Sequence, residues 1–344
     1  PVRDEKGKVI QTSPKMQENG RLCPNLEEMD GELVKPVVKW LSLRNRKSVI
    51  EGWLENPRLD YDGRLSAGSS GLAASQRQKH HTIANLPKAD PSVTLGEEVR
   101  DLFVAHREGY VLVGCDAAGL EARVEGHYTY PFPGGPEYAA ELIDGDIHMK
   151  TTGDVFYEEV GHLMGTDRWN KDDSAIKPWR GKAKNVKYGI SYGAQAAKLA
   201  TMLGTDIGRA EEVLERFWTS AKPLALLKDR VTAMWEQSGK KYLEGIDGRI
   251  LFSRSKHSLV NLLFQSCGAI IMDYSLIFMD KWLGGLVLDN HGVPCYSYKG
   301  QYVYRVVYYH DESIWEVPQY LAAEIGVMLE RSIEMAGKLL KLRV

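Results

Sequence analysis

Apolar and polar positions divide this 344-residue chain into segments of different period. Residues 1 to about 34 are polar, rich in Glu, Lys, Asn and Pro, and aperiodic, which predicts loop or a poorly packed edge, with order beginning near Leu33. From Val34 to Trp53 the apolar positions Val37, Val38, Leu41, Ile50 and Trp53 alternate with cations, predicting a helix or helix pair with one basic side. Residues 57–94, with Gly68-Ser-Ser-Gly71, read as loop-rich. Tyr110-Val-Leu-Val-Gly-Cys-Asp116 is a short apolar run ending in an acid and predicts a buried strand; 119–128 has helical character, and helices dominate 137–240. The aromatic, β-branched run Gln301–Tyr309 predicts a strand that turns at His310-Asp-Glu312 and returns through Ser313–Val317. Two-residue hairpin loops favour Asn-Gly or Asp-Gly, so a His-Asp-Glu turn serves something other than turn propensity.

The most informative segment runs from Arg180 to Gly193. Arg180, Lys184, Tyr188 and Tyr192 recur every four residues, a spacing that lines one helical face, and Arg180 to Tyr188 spans roughly 12 Å at about 1.5 Å per residue. That matches the reach from a triphosphate tail to a base. Pro178 suits a first turn, which would put Arg180 among free backbone N–H groups at the positive dipole end. The alternative is an ordinary solvated basic helix. Gly189 and Gly193 weigh against it, because each costs on the order of 1 kcal/mol relative to Ala in a helix and implies close approach to the backbone.

Composition adds limits. With 43% hydrophobic and 26% charged residues the chain is an ordinary globular protein with a substantial core, and no apolar run approaches the ~18 residues of a membrane span. The start at Pro1, without an initiator Met or signal peptide, reads as a fragment of something longer. Cys23, Cys115, Cys267 and Cys295 form no CxxC pair, which suits a reducing cytoplasm and suggests neither zinc nor a disulfide framework. Net charge is −2, but Lys35–Lys79 holds nine Lys/Arg against four acids, and Arg168–Lys187 seven against two. Two basic stretches on a near-neutral chain suit a protein that grips a polyanion in one cleft.

Asp116 ends one predicted strand and Asp311 sits at a hairpin tip, both places where a sheet presents side chains to a cleft. Two such carboxylates repel unless a cation lies between them, and hard oxygen ligands suit magnesium. Two ions about 3.5–4 Å apart can clamp the attacking and leaving oxygens of a phosphoryl transfer. Capping or surface acids are the competing explanation.

Taken together, these segments resemble family A DNA polymerases, the DNA polymerase I-like group, and more closely its phage replicative branch, over about residues 34–318. Asp116-Ala-Ala-Gly-Leu-Glu-Ala-Arg123 is similar to the family's first palm motif, Arg180–Gly193 to the fingers motif R-x3-K-x3-F/Y-G-x2-Y-G, and His310-Asp-Glu312 to the last palm motif. Asp146-Ile-His148, Gly245-Ile-Asp-Gly-Arg249 and Asn261-Leu-Leu-Phe-Gln265 are supporting matches. The resemblance implies an α+β right-hand fold with an antiparallel-sheet palm and helical fingers. It divides the chain into a partial helical thumb with a loop-rich start (1–62), palm (63–124), fingers (125–257) and palm again (258–344).

It further implies template-directed addition of dNTPs to a primer 3′-hydroxyl on primer-template DNA. Asp116, Asp311 and the carbonyl of Ala117 would hold two Mg2+ ions, with Glu312 a weaker participant. His148, Arg180 and Lys184 would hold the triphosphate, Lys184 also being a candidate acid for pyrophosphate. Tyr188 would stack on the incoming base or sugar, Tyr192 guard the template side, and Glu121 act as the steric gate against a 2′-hydroxyl. Asn261 and Gln265 would test pair shape in the minor groove, where acceptors are similar for every base pair. Arg77, Arg249, His257 and His310 would contact primer or template. Gln76-Arg77-Gln78 departs from the family's usual Thr-Gly-Arg, with two fewer residues before Asn85-Leu-Pro87.

The chain starts within what should be the thumb and ends at Val344 without the family's usual tail, so weak processivity and primer grip are expected and no exonuclease domain fits before the motifs. A processivity factor or separate exonuclease domain is compatible with this, with no membrane partner, and the host bacterial cytoplasm is the expected location if the gene is a phage's. Two competing functions are a catalytically impaired polymerase-like module that binds DNA, against which the intact acids and cations speak, and a two-metal nuclease or phosphatase, which needs neither a stacking tyrosine nor a sugar gate.

Overall fold

A computed structural model describes residues 2–3, 9–11, 17–18, 21–22, 32, 34–56, 59, 63–83, 86–91 and 93–343. Most of the segment read as loop at 1–34 lies outside the described residues, as do Cys23, Arg58, Asp60, Asp62 and Asn85. The chain forms two compact units, residues 1–69 with 80–105, and residues 70–79 with 106–344.

In the first unit, β1 (Val2–Arg3) pairs with β2 (Val9–Gln11) and β3 (Gln17–Glu18) with β4 (Arg21–Leu22), both antiparallel. These short ladders replace part of the expected loop. The expected helix is continuous, α1 (Val34–Leu54), with Leu41 and Trp53 buried. Trp53 donates from its indole N–H to the Thr82 carbonyl at 2.7 Å and meets Phe103 edge-on at 5.2 Å. Loop was expected through residue 94, yet β5 (Ser69–Leu72) and β6 (Gln78–His80) form a hairpin, whose tip belongs to the second unit; α2 (Gly96–Asp101) follows.

The second unit is built on a five-stranded antiparallel sheet whose order is β10 (Leu286–Leu288), β11 (Pro294–Tyr298), β12 (Gln301–Tyr309), β13 (Glu312–Pro318) and β7 (Tyr110–Asp116), with β7 at one edge. After β7 come α3 (Leu120–Thr129), α4 (Gly135–Ile143), α5 (Ile147–Val155), α6 (Tyr157–Val160), α7 (Lys177–Ser191), α8 (Ala196–Leu203), α9 (Ile207–Ser220) and α10 (Lys222–Gln237). A small hairpin, β8 (Tyr242–Glu244) and β9 (Ile250–Phe252), leads to the long α11 (Leu259–Trp282). The chain then completes the sheet with β10, β11, β12 and β13, and closes with α12 (Ala322–Leu339). The α+β class expected from the sequence is borne out.

Period two explains what β7 does. Val111, Val113 and Cys115 pack against the core formed by Met279, Trp315, Val317 and Ile325, so Leu112, Gly114 and Asp116 take the opposite face and are exposed. The strand is therefore half-covered, where the unbroken apolar run had suggested full burial. At its far end Arg107 donates to Glu316, lies 3.5 Å from Asp289 and stacks 3.3 Å over the Tyr304 ring, whose hydroxyl donates to Asp289 at 2.9 Å.

α11 corrects another expectation. Extended to Lys256–Trp282 it is, by length and composition, apolar enough to cross a membrane, and it is the one such helix among the described residues. Two-thirds of its apolar window (67%) is buried inside the fold, between α3, α10 and α12, as a core helix must be.

Candidate active site

The acids meet where β7 ends and β13 begins. Asp116 and Glu312 stand directly opposite in register, and the Ala117 N–H donates to the Asp311 carbonyl at 2.9 Å, which ties the hairpin tip to the strand end. The turn itself is His310-Asp311, two residues rather than three, with Glu312 already in the strand. His310 adopts φ +55°, a conformation that favours glycine, so its side chain is kept at some backbone cost. Partial desolvation at the strand end, and then the neighbouring Asp311 charge, hold the Asp116 carboxyl above its usual range. Like charges facing each other across strands destabilise a sheet, and this donor set fits a divalent cation. Ala117 accepts an N–H from Leu120 at 3.1 Å and keeps one carbonyl lone pair for a further partner. Among the described residues no group of three His, Cys, Asp or Glu is spaced to hold an ion by itself, so water or phosphate oxygens would complete the coordination.

The predicted stripe exists on α7, with Pro178 in its first turn and Tyr192 just past its C-terminal end. The Arg180 N–H is not free, since it donates to the Ile176 carbonyl at 2.9 Å, so only the guanidinium can meet an anion. That guanidinium is engaged by Asp146 at 2.9–3.1 Å. Asp146 is also the N-cap of α5, accepting N–H groups of His148 and Met149. Burial pushes its pKa up, but those N–H groups and Arg180 outweigh it and hold the carboxyl low. His148 lies 5.8 Å from the Tyr188 ring with its Nδ1 buried and unbonded. Burial, then the charges of Lys187 and Arg180, push its pKa down to about 4, so it is neutral at pH 7. Lys184 is exposed, with no ion pair or hydrogen bond among the described residues.

Tyr188 stacks on Tyr192 at 6.4 Å and 18°, and Tyr192 donates to Glu121 at 3.1 Å. Burial and the Glu121 charge push the Tyr192 phenol up to about 12, so it stays a donor. The glycines do mark close approach, but by the protein itself. A Cβ on Gly189 would meet Met202 at 3.0 Å, and one on Gly193 (φ +83°) would lie 2.4 Å from the His257 carbonyl. The second basic stretch is also smaller than its count suggests, because Arg168 pairs with Asp173, Arg180 with Asp146, and the buried Lys187 with Glu125.

Asn261 and Gln265 lie one turn apart on α11 and line a groove of about 690 Å³ together with Ser75 at the tip of the β5–β6 hairpin. Arg77 reaches α11, its guanidinium 3.8 Å from a Cβ built on Gly268. Arg249 is held by Asp247 at 2.8 Å and lies 3.8 Å from Asp273, which accepts the Tyr308 hydroxyl at 3.0 Å. His257 is exposed, and its backbone rather than its ring makes the contact to Gly193.

A sequence profile described as DNA polymerase family A matches residues 9–344. The chain belongs to DNA polymerase family A. Among curated relatives, the DNA-directed DNA polymerase of Escherichia phage T7 is 29% identical over 272 residues, 73% of this chain and 34% of that protein. DNA polymerase I of Pseudomonas aeruginosa is 24% identical over 315 residues, 87% of this chain and 31% of its own length. The chain thus spans about a third of the curated relatives it matches. The POL domain of DNA polymerase I from M. smegmatis, solved in complex with DNA primer-template and dNTP, superposes with a TM-score of 0.67 at 20% identity, covering 94% of this chain and 55% of that one. The right-hand fold expected from the motifs is thereby supported at the level of the whole chain.

Sequence reasoning missed three site residues. Asp146 lies within the Asp146-Ile-His148 match, and an Asp directly before a helix start is a capping signal. Lys187 was read as one more surface cation. Its buried partner Glu125 is 62 residues away and carries no local signal.

Proposed function

We propose that this family A chain carries out template-directed DNA synthesis by two-metal nucleotidyl transfer. The observation that carries the reading is the meeting of Asp116 and Asp311 at the β7–β13 edge, locked by the Ala117–Asp311 backbone bond. In this reading 63–124 and 258–344 form the palm, 125–257 the fingers and 1–62 part of a thumb, and the partners are primer-template DNA and dNTPs in an intracellular setting.

The two Mg2+ ions, held by Asp116, Asp311 and the Ala117 carbonyl, would lower the charge on the reacting phosphate and activate the primer hydroxyl. Glu312 adds negative charge beside that site. Arg180 leaves Asp146 for the triphosphate, joined by His148 and the unengaged Lys184, which neutralises or protonates the departing pyrophosphate. Tyr188 supports base and sugar, and Tyr192 fixes the carboxylate of Glu121 against the sugar edge. Asn261, Gln265, Arg77, Arg249, His257 and His310 make the duplex contacts. The catalytically impaired alternative is disfavoured by the free ammonium of Lys184 beside intact acids.

Primer extension with Mg2+ and dNTPs tests the reading; hydrolysis of DNA without extension would replace it with a nuclease. Glu121→Ala is expected to raise ribonucleotide incorporation by about 10–200-fold, the range one steric or hydroxyl contact carries. Tyr188→Phe is expected to reduce chain termination by dideoxynucleotides, because the phenol no longer substitutes for the missing 3′-hydroxyl; gels run with mixed ddNTP and dNTP read this directly.

A further inference from the structure

We propose that the buried Lys187–Glu125 pair is the positioning element of the sugar gate and so a determinant of deoxyribose selectivity, an inference that rests on the polymerase reading above. Among the described residues, two side-chain hydrogen bonds tie α3 to α7 and to Tyr192 just beyond it. One is the exposed hydrogen bond from Tyr192 to Glu121, and the other is the bond from Lys187 Nζ to Glu125 Oε2 at 2.6 Å. The Lys187 and Glu125 side chains are 6% and 2% exposed. The second Glu125 oxygen accepts the hydroxyl of Tyr138 on α4 at 2.5 Å, so both carboxylate oxygens are held.

The gate faces open space rather than packed side chains. Glu121, Tyr188 and His148 line a cavity of about 250 Å³, which Glu125, Lys187 and the buried, unbonded Ser191 hydroxyl also line. A side chain that borders a cavity can shift into it, and a water-accessible hydrogen bond resists that weakly. The Lys187–Glu125 bond is charge-assisted, short and almost wholly buried, and parting its members would strand a buried charge. Glu121 and Glu125 are four residues, about 6 Å, apart along the same helix. The spacing fixed at Glu125 is therefore carried to Glu121, where a displacement of a fraction of an ångström decides whether a 2′-hydroxyl fits.

The test compares kcat/KM for a ribonucleotide and its deoxynucleotide in single-nucleotide extension. If the unsubstituted protein extends no primer, the polymerase reading falls and this inference with it. Given extension, the uncharged, volume-matched K187M/E125L variant is expected to raise the ribo/deoxy ratio by roughly tenfold, within the range one hydroxyl contact carries, chiefly through the ribonucleotide term. K187R, which can keep the bond, should restore the original ratio. Y138F removes one support of Glu125 and should raise the ratio about two- to threefold, on the scale of one hydrogen bond, which keeps the idea testable if the double variant fails to fold. A folded K187M/E125L protein, or Y138F alone, with an unchanged ratio would overturn the inference while leaving the polymerase reading intact.

Discussion

Asp311→Asn is expected to lower primer extension by about 10³-fold or more, since several kcal/mol of transition-state stabilisation depend on a correctly held metal ion and each 1.4 kcal/mol is tenfold. The melting temperature should stay level or rise. Asp116 is held above its usual carboxyl range by partial desolvation and by Asp311, so at neutral pH its charge opposes folding, and removing the neighbour relieves that opposition. Loss of activity with retained or improved stability distinguishes a metal-binding acid from a structural one. A variant that loses both in proportion would count against the two-metal assignment. Asp116→Asn should behave in the same way, whereas Glu312→Gln should cost much less, because Glu312 faces Asp116 from the strand and not from the turn.

The second large effect is on stability and lies at the other end of the same sheet. Arg107→Ala leaves the carboxylate of Glu316, which is 3% exposed, with the backbone N–H of residue 107 but no cation, and removes the cation stacked on Tyr304. Breaking a buried pair in this way costs about 3–5 kcal/mol, which for a chain of this size is about 4–7 °C in melting temperature. The same network sets acid sensitivity. Burial pushes Asp289 up, but N–H groups of Val293 and His291, the Tyr304 hydroxyl and Arg107 together bring its pKa down to about 2. Because the folded value lies below the ordinary value of about 3.9, its stabilising contribution is complete above that range and is lost as pH falls toward 2. Arg107→Ala should therefore shift the acid-unfolding midpoint upward, as circular dichroism against pH would show.

Some of this was legible in the sequence because it was local. The four-residue recurrence of Arg180, Lys184 and Tyr188 and the aromatic alternation of Gln301–Tyr309 depend only on neighbours, and both elements formed where the periods placed them. Asp116 and Asp311 could be named as strand-end acids for the same reason. What could not be read is pairing at a distance. An apolar run such as Tyr110–Asp116 looks alike whether one or both faces are covered, and only the register with β13 makes it half-exposed. Arg180 and Lys187 look like equivalent cations in a basic run, yet one is drawn to Asp146 and the other to Glu125. The β5–β6 hairpin was hidden by its glycines and serines, which signal turns more strongly than strands.

The long core helix α11 also has a consequence for synthesis. Its apolar flank is covered in part by the sheet and by α12, which lie C-terminal to it. At about 5–20 residues per second, the roughly 36 residues between Trp282 and Pro318 take a few seconds to emerge. During that interval the nascent chain displays a greasy segment with the length of a membrane anchor, against which only earlier elements, chiefly α3 and α10, can pack. Chaperone demand during translation should therefore peak as residues 260–318 leave the ribosome, and chains released before β13 should precipitate or bind lipid.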